Sequence, residues 1–180
     1  MTKPDPTRRQ FNAVALGGVA TLGGAALTFR PIAASATETS MKKFEIERTP
    51  AEWRKLLTPA QYGVLRDHGT ERPFSHPYDK TYAPGVYNCA GCDLPLFSST
   101  TKFDSRTGWP SFWKPLDDAI GTKEDRTLWV MVRTEVHCRR CGGHLGHVFN
   151  DGPKPTGLRY CMNGVSMKFV PEEKPVESKS

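Results

Sequence analysis

A β-strand pattern that runs directly into a pair of cysteines decides the fold of this chain: Leu128-Trp-Val-Met-Val-Arg-Thr-Glu-Val136, then His137, then Cys138-Arg-Arg-Cys141-Gly-Gly143. Aromatic and β-branched residues dominate positions 128–136, which predicts a strand. The Cys-x-x-Cys spacing lets one tight turn present two thiolates to a single ion, and Gly142 permits the backbone turn that this needs. The stretch therefore predicts a strand that ends in a metal-binding knuckle.

A second knuckle with the same spacing, Cys89-Ala-Gly-Cys92, lies upstream, and 45 residues separate Cys92 from Cys138. Two such knuckles complete a tetrahedral sulfur site, for which zinc is the usual occupant. We therefore predict one structural zinc ion held by Cys89, Cys92, Cys138 and Cys141. Iron in the same site, disulfides, or one redox-active pair are the alternatives. Because four thiolates fill every position, the predicted site is closed and has no open position for catalysis.

The 180-residue chain divides into four parts by composition. We predict an export signal at 1–36, a linker at 37–48, a single domain at 49–170 and a flexible tail at 171–180, which is rich in Pro, Glu, Lys and Ser.

Within the domain, two capping boxes, Thr49-Pro-Ala-Glu52 and Thr58-Pro-Ala-Gln61, predict two helices, and Gly69 is expected to stop the second. Beyond them, short aromatic and β-branched runs between turn residues predict antiparallel strands, including a strand pair on either side of Asn163-Gly164. The predicted fold class is α+β, mainly β.

The N-terminal segment has the layout of an export signal. Thr7-Arg-Arg-Gln-Phe11 precedes a Gly- and Ala-rich apolar run that leads to Ala34-Ser-Ala36. The arginine pair resembles the twin-arginine class, which carries folded proteins. That route suits thiols that bind metal in the reducing cytosol before they reach an oxidising compartment. We predict a periplasmic protein without a stable membrane partner. Retention at the membrane by an uncleaved signal is the alternative.

Charge does not point to a nucleic-acid partner. Half of the formal net charge of +6 lies in residues 1–36, and the remainder is spread over the rest of the chain. Because no basic stripe is left once the signal is set aside, we predict no nucleic-acid partner. A zinc-ribbon-like binding module for nucleic acid or another protein remains an alternative to an enzyme.

The fifth cysteine lies in Leu158-Arg-Tyr-Cys-Met-Asn-Gly164. If this stretch is extended, Arg159, Cys161 and Asn163 share one face of a strand. A cation beside a thiol lowers the pKa of the thiol and favours the nucleophilic thiolate, and an amide can donate to a developing oxygen charge. The alternative is that Cys161 is a small buried apolar residue.

Two further groups accompany this cysteine. His144 and His147 lie three residues apart after the second knuckle. The pattern is compatible with a general acid beside an orienting donor, with a metal site that has few ligands, or with histidines that are hydrogen-bonded within a loop. Trp109 follows Gly108 in an aromatic run, where it either packs in the core or walls a small apolar pocket.

With these residues the chain resembles the methionine-R-sulfoxide reductases (the methionine sulfoxide reductase B family). Five stretches in order carry the resemblance over roughly residues 50–170: 69–74, 87–92, 108–112, 144–149 and 159–163. It implies two antiparallel sheets with short N-terminal helices and a zinc ion opposite the active site. It also implies reduction of methionine-R-sulfoxide, mainly in proteins, through a sulfenic acid on the nucleophile. Another thiol oxidoreductase activity is the competing hypothesis for Cys161.

The resemblance also assigns roles to single residues. Cys161 is implied to be the nucleophile, and His147, His144 and Asn163 are implied to surround the sulfoxide oxygen, with His147 as the proton donor. Arg159 is implied to be the charged neighbour of the thiolate. Trp109, as the wall that receives the substrate methyl group, and Phe149 are implied to contact the substrate.

The chain departs from many family members at Thr107, where those members carry a resolving cysteine. Since the other four cysteines are predicted to bind metal, we expect the sulfenic acid to be reduced by an external thiol. A thioredoxin-like protein, a glutaredoxin-like protein and a small thiol are the candidate reductants, and oxidised proteins are the expected substrates. We expect the protein to act as a monomer.

Overall fold

The computed structural model describes residues 44–128 and 131–173. The whole predicted signal, most of the predicted linker, the dipeptide Trp129-Val130, and the tail from residue 174 lie outside the described residues. Within the described ranges, no helix has both the length and the apolar composition needed to cross a bilayer.

Two short helices open the domain, as the capping boxes predict. They are α1 (Pro50–Leu56) and α2 (Pro59–Leu65). In each box the threonine side chain accepts from the third backbone N–H, and the Glu or Gln side chain accepts from the N-cap backbone N–H in return. Helix α2 ends four residues before Gly69, whose own N–H donates to the Gly63 carbonyl at 2.9 Å. Gly69 thus closes the turn after the helix rather than ending the helix itself.

In the part of the chain that the structure describes, nine strands form two antiparallel sheets, which confirms a mainly β fold with two sheets and two short helices. The small sheet has the order β2-β1-β9, with β1 (Gly85–Cys89), β2 (Pro95–Ser98) and β9 (Met167–Pro171). The large sheet has the order β3-β4-β8-β7-β6-β5. Its strands are β3 (Lys102–Phe103), β4 (Ser111–Phe112), β5 (Ile120–Leu128), β6 (Met131–Cys138), β7 (His144–Phe149) and β8 (Arg159–Met162).

An aromatic core joins the two sheets. Phe97 of β2 stacks on Phe112 of β4 with ring centroids 4.4 Å apart, and Tyr87 of β1 meets Phe112 edge-on at 5.1 Å. All three side chains are fully buried. Offset-stacked and edge-to-face pairs are the favoured arrangements of aromatic rings, so this cluster fixes one sheet on the other.

Two of the strand predictions were wrong in detail. Residues 128–136 are not one strand, because Leu128 is the last residue of β5 and pairs with Met131, the first residue of β6. The strands on either side of Asn163-Gly164 do not pair with each other, since β8 belongs to the large sheet and β9 to the small one. A short 3₁₀ turn at Gly164–Ser166 carries the chain between the sheets, and φ at Asn163 is −71°, outside the range of a type I′ hairpin turn.

Candidate active site

Strand register brings the predicted nucleophile and the predicted acid together. Cys161 on β8 lies directly opposite His147 on β7 and opposite Ser111 on β4. Side chains directly opposite each other in an antiparallel pair project from the same face of the sheet. Two residues 14 positions apart in the sequence thus lie side by side on an inner strand pair of the large sheet.

A cavity of about 130 Å³ opens onto this pair. Its lining contains five of the seven predicted catalytic and substrate-binding residues: Trp109, His147, Phe149, Cys161 and Asn163. The other lining residues are Thr70, Arg133, Gly146 and Met162. The indole of Trp109 is held in place because its Nε1–H donates to the Glu71 carbonyl at 3.2 Å. His144 and Arg159 are the two predicted residues that do not line this cavity.

Arg159 lies at the edge of the site and is shared with a carboxylate. Its guanidinium donates two hydrogen bonds of 2.8 Å to Asp151 and packs over the Phe149 ring at 4.4 Å. The charge of Arg159 lowers the pKa of the Cys161 thiol, but the negative charge of Asp151 beside it weakens this effect.

The predicted lowering of the thiol pKa is wrong for the protein without substrate. Burial raises the pKa of Cys161 above its ordinary 9.0, and a hydrogen bond with Thr107, the charge of Arg159 and a hydrogen bond with Ser111 offset this only in part. The Thr107 hydroxyl lies 3.9 Å from Cys161 Sγ, and a chain of hydroxyl hydrogen bonds runs from Thr107 through Ser105 to Ser111. Cys161 is therefore a thiol at neutral pH until something further stabilises its charge.

His147 is anchored by a carboxylate from β5. Its Nε2 lies 2.8 Å from Asp125 Oδ2, which also accepts from Arg133 at 2.7 Å. Burial lowers the pKa of His147 below its ordinary 6.5, the hydrogen bond with Asp125 opposes this, and the charge of Arg133 reinforces it. The imidazole is thus neutral at pH 7, beside a neutral thiol.

His144 lies behind His147, in the wall of a neighbouring polar cavity of about 390 Å³. The two imidazole rings meet edge-on with centroids 5.4 Å apart. His144 is 2% exposed, and its Nδ1 lies 2.9 Å from Glu135 Oε1. Within the described part of the chain, its Nε2 has no hydrogen-bond partner.

The Asn163 side chain is buried and largely committed to the fold. Its Nδ2 donates to the Leu145 carbonyl at 3.0 Å, and its Oδ1 accepts from the Glu71 backbone N–H at 3.0 Å. The Glu71 carboxylate in turn accepts from the N–H groups of Gly164 and Val165 at 2.7 and 2.9 Å. Glu71 therefore connects two parts of the site: its backbone carbonyl holds the Trp109 indole, and its carboxylate holds the turn that follows β8.

The four knuckle cysteines converge as predicted. Their sulfur atoms lie within 4.8 Å of one another, with Cys89–Cys141 at 3.8 Å and Cys92–Cys138 at 3.5 Å. A zinc ion with Zn–S bonds of ~2.3 Å requires tetrahedral S–S edges of about 3.8 Å. All four are free cysteines and their closest contacts join one knuckle to the other, which argues against disulfides within the knuckles.

The chemistry of this sulfur cluster also fits a dication. A hydrogen bond from Cys138 holds the pKa of Cys92 down, while donation to Cys138 raises the pKa of Cys89, so the four sulfurs cannot all ionise on their own. A bound cation removes this conflict. Trp53 and Leu65 from the two helices cover the Gly91 side of the cluster.

Sequence reasoning missed the carboxylates and the arginine that surround the histidines. Arg133 and Glu135 alternate on β6, and Asp125 lies on β5 opposite Arg133. Charged residues at alternate positions of an otherwise apolar strand are the one signal that could have marked them, since such a face needs partners.

Comparison with known proteins gives a consistent result. A family model described as the SelR domain matches residues 57–171. The chain is 55% identical over 127 residues to a peptide methionine sulfoxide reductase MsrB of Agrobacterium fabrum, covering 71% of this chain and 94% of the relative. MsrB proteins of Pseudomonas syringae pv. syringae and Leptospira interrogans are 54% and 50% identical, over 97% and 98% of their lengths and 71% and 72% of this chain.

Proposed function

Since the chain belongs to the SelR family of methionine-R-sulfoxide reductases and is a peptide methionine sulfoxide reductase, we propose that it reduces the R epimer in oxidised proteins with Cys161 as nucleophile. The observation that carries this assignment is the direct pairing of Cys161 with His147 across β7 and β8, in a cavity walled by Trp109. Trp109 and Phe149 supply the apolar surface for the methyl group and side chain of the substrate.

The reaction begins with a proton transfer inside the site. A sulfoxide sulfur becomes electrophilic when its oxygen is protonated or strongly hydrogen-bonded, so the thiolate needs an acid beside it. Cys161 rests as a thiol and His147 as a neutral imidazole, because burial opposes charge on both. Transfer of the Cys161 proton to His147 creates the thiolate and the acid in one step, without drawing a proton from solvent.

The oxygen then moves from the substrate to the enzyme. The sulfur–oxygen bond of the sulfoxide breaks, the methionine sulfur gains two electrons, and Cys161 is oxidised to a sulfenic acid whose oxygen carries the proton from His147. Reduced methionine leaves. Arg159 and Thr107 stabilise negative charge on Cys161 sulfur during the attack.

Regeneration needs two external thiols. The first condenses with the sulfenic acid to give a mixed disulfide and water, and the second displaces Cys161 as a thiol. The Cys161 neighbour at the resolving position is Thr107, and the other four cysteines form the sulfur cluster. A thioredoxin-like protein, a glutaredoxin-like protein or a small thiol therefore reacts with Cys161 directly.

Cys89, Cys92, Cys138 and Cys141 would hold one structural zinc ion. When bound, zinc supplies a cross-link between the two knuckles and no open coordination position. The knuckle at Cys138 connects β6 to β7, so the cross-link secures the start of the strand that carries His144 and His147. We also propose export to the periplasm by the twin-arginine-type signal at 1–36, and action as a monomer.

The assignment is tested with the purified chain, dithiothreitol and each epimer of a methionine sulfoxide peptide. We expect turnover of the R epimer alone, none by Cys161→Ser, and a dimedone adduct on Cys161 after one turnover without reductant. A lack of R turnover by the wild type, or full turnover by Cys161→Ser, would overturn the assignment. Ser105→Thr, which keeps the hydroxyl that bonds to Thr107 from two residues upstream, serves as the control for general damage to the loop.

A further inference from the structure

A buried carboxylate outside the substrate cavity engages the inner histidine of the site. Glu135 on β6 is 4% exposed, and its Oε1 lies 2.9 Å from His144 Nδ1. The same oxygen lies 3.3 Å from His68 Nδ1, and Lys123 Nζ lies 3.1 Å from Oε2. Each oxygen of this carboxylate therefore has a donor or a cation beside it.

Glu135 keeps its charge despite its burial. Desolvation raises the pKa of Glu135, but the hydrogen bonds with His144 and Lys123 oppose it, and the pKa falls to about 2. An ionised carboxylate accepts hydrogen bonds only. The proton in the contact of 2.9 Å therefore lies on His144 Nδ1, and in that tautomer the lone pair lies on Nε2.

That lone pair is placed unusually for a histidine with a purely structural role. Within residues 44–128 and 131–173, His144 Nε2 is one of only three buried side-chain N or O atoms without a hydrogen-bond partner. A buried polar atom without a partner is costly to the fold, so its placement calls for an explanation. The ring that bears it packs edge-on against His147, the residue opposite Cys161.

We propose that Glu135 is a positioning residue for the reductase reaction, which fixes the Nδ1–H tautomer of His144 and so holds a buried acceptor in the ring packed against His147. This inference rests on the proposed function of the site. An acceptor in that ring favours the protonated form of His147 that arises when Cys161 gives up its proton. The opposite tautomer would turn the buried Nε2 from an acceptor into an N–H donor and disfavour that form.

The role of Glu135 differs from that of a general structural ion pair. Glu135 does not line the cavity with Cys161, so it acts on the chemical step and not on substrate binding. Its loss should lower kcat and leave KM unchanged. A structural ion pair would instead affect stability without dictating which nitrogen of His144 carries the proton.

The test combines histidine side-chain ¹⁵N NMR with steady-state kinetics on the full chain, with His144→Gln used to assign the signals. We expect wild-type His144 to be the Nδ1–H tautomer. Glu135→Gln should lose that preference and lower kcat about 10- to 100-fold with KM unchanged, a fraction of the full effect of a proton-transfer group. Glu124→Gln is the matched control, since exposed Glu124 on β5 pairs with Arg126 at the surface, and it should behave as wild type.

Two results would overturn the inference. One is an Nε2–H tautomer for His144 in the wild-type protein, which needs no variant and holds even where Glu135→Gln fails to fold. The other is a Glu135→Gln enzyme with wild-type kcat. Failure of the proposed function looks different, because the wild type itself would then not turn over the R sulfoxide while the tautomer could still be read.

Discussion

Replacement of Gly146 by Ala should separate the two strands that carry His147 and Cys161. Gly146 on β7 pairs with Met162 on β8, next to the His147–Cys161 pair. A Cβ at this position would lie 3.0 Å from Met162 Cα, 3.1 Å from the Cys161 carbonyl carbon, and closer still to the Cys161 carbonyl oxygen. Ordinary contact begins at 3.4 Å, and backbone atoms on an inner strand cannot swing aside as a flexible side chain can.

The expected cost follows from that geometry. Strand β8 must move away from β7 by roughly 1 Å, a displacement that costs on the order of 100-fold when it misplaces reacting groups. Overpacking of this kind lowers the free energy of unfolding by about 1–3 kcal/mol. We therefore expect kcat/KM for a methionine-R-sulfoxide peptide to fall about 100-fold with the sulfur cluster and its metal content intact.

Gly63→Ala provides the matched control. Gly63 lies inside α2, and a Cβ there meets nothing within 4 Å. Alanine at an unhindered helix interior position should raise the free energy of unfolding by about 0.5–1 kcal/mol and leave kcat/KM unchanged. Denaturant unfolding, zinc analysis and peptide kinetics on both variants complete the assay. A Gly146→Ala enzyme with kcat/KM within about twofold of the wild type would refute the argument from strand spacing.

Three further outcomes are expected. The value of kcat/KM should be level between the pKa of His147, below 6.5, and the pKa of Cys161, above 9.0, and should fall on either side. The reason is that the thiol–imidazole pair and the reactive thiolate–imidazolium pair contain the same number of protons. A steady rise through pH 9 would contradict the internal proton transfer. Cys92→Ser should lose the metal, about one zinc per chain by elemental analysis, and lower the melting temperature, whereas full metal retention would speak against the site. Thr107→Cys should form a disulfide with Cys161 after one turnover, seen by mass spectrometry, because the Thr107 hydroxyl is already 3.9 Å from the Cys161 sulfur; a persistent dimedone adduct would count against it.

Local chemistry was the part of this protein that its sequence predicted well. The two capping boxes and the two cysteine knuckles are each set by residues within four positions of one another, and the structure contains all of them. The alternation of Arg159, Cys161 and Asn163 along one strand face is likewise a local property of an extended backbone.

Features that depend on pairing between distant strands were not predictable in this way. The boundary between β5 and β6 falls inside an apolar run with no Gly, Pro, Asn or Asp to mark it, so the pattern predicts a single strand. Asn163-Gly164 looks like a hairpin turn, yet the buried amide of Asn163 bonds to Leu145 and the chain changes sheets there instead.

The prediction of the thiol pKa and of the charged partners in the site failed for a related reason. The neighbouring Arg159 predicts a low thiol pKa, but the burial that raises the pKa of Cys161 comes from strands and loops elsewhere in the chain. Asp125 and Glu135 reach the histidines from the β5–β6 hairpin. No sequence spacing links these two carboxylates to the histidines, because only the register of the large sheet brings them together.

The position of Cys161 on an inner strand has a consequence for the redox partner. Strand β8 is hydrogen-bonded on both sides, to β4 and β7, so its backbone has no free edge and opens only when much of the sheet opens. On the proposed mechanism, a sulfenic acid or mixed disulfide on Cys161 therefore stays on this inner strand and is not carried outward on a moving loop. The incoming thiol must instead descend onto the face of the sheet and leave by the same path. We therefore expect access to this face of the sheet to limit which reductants can regenerate Cys161.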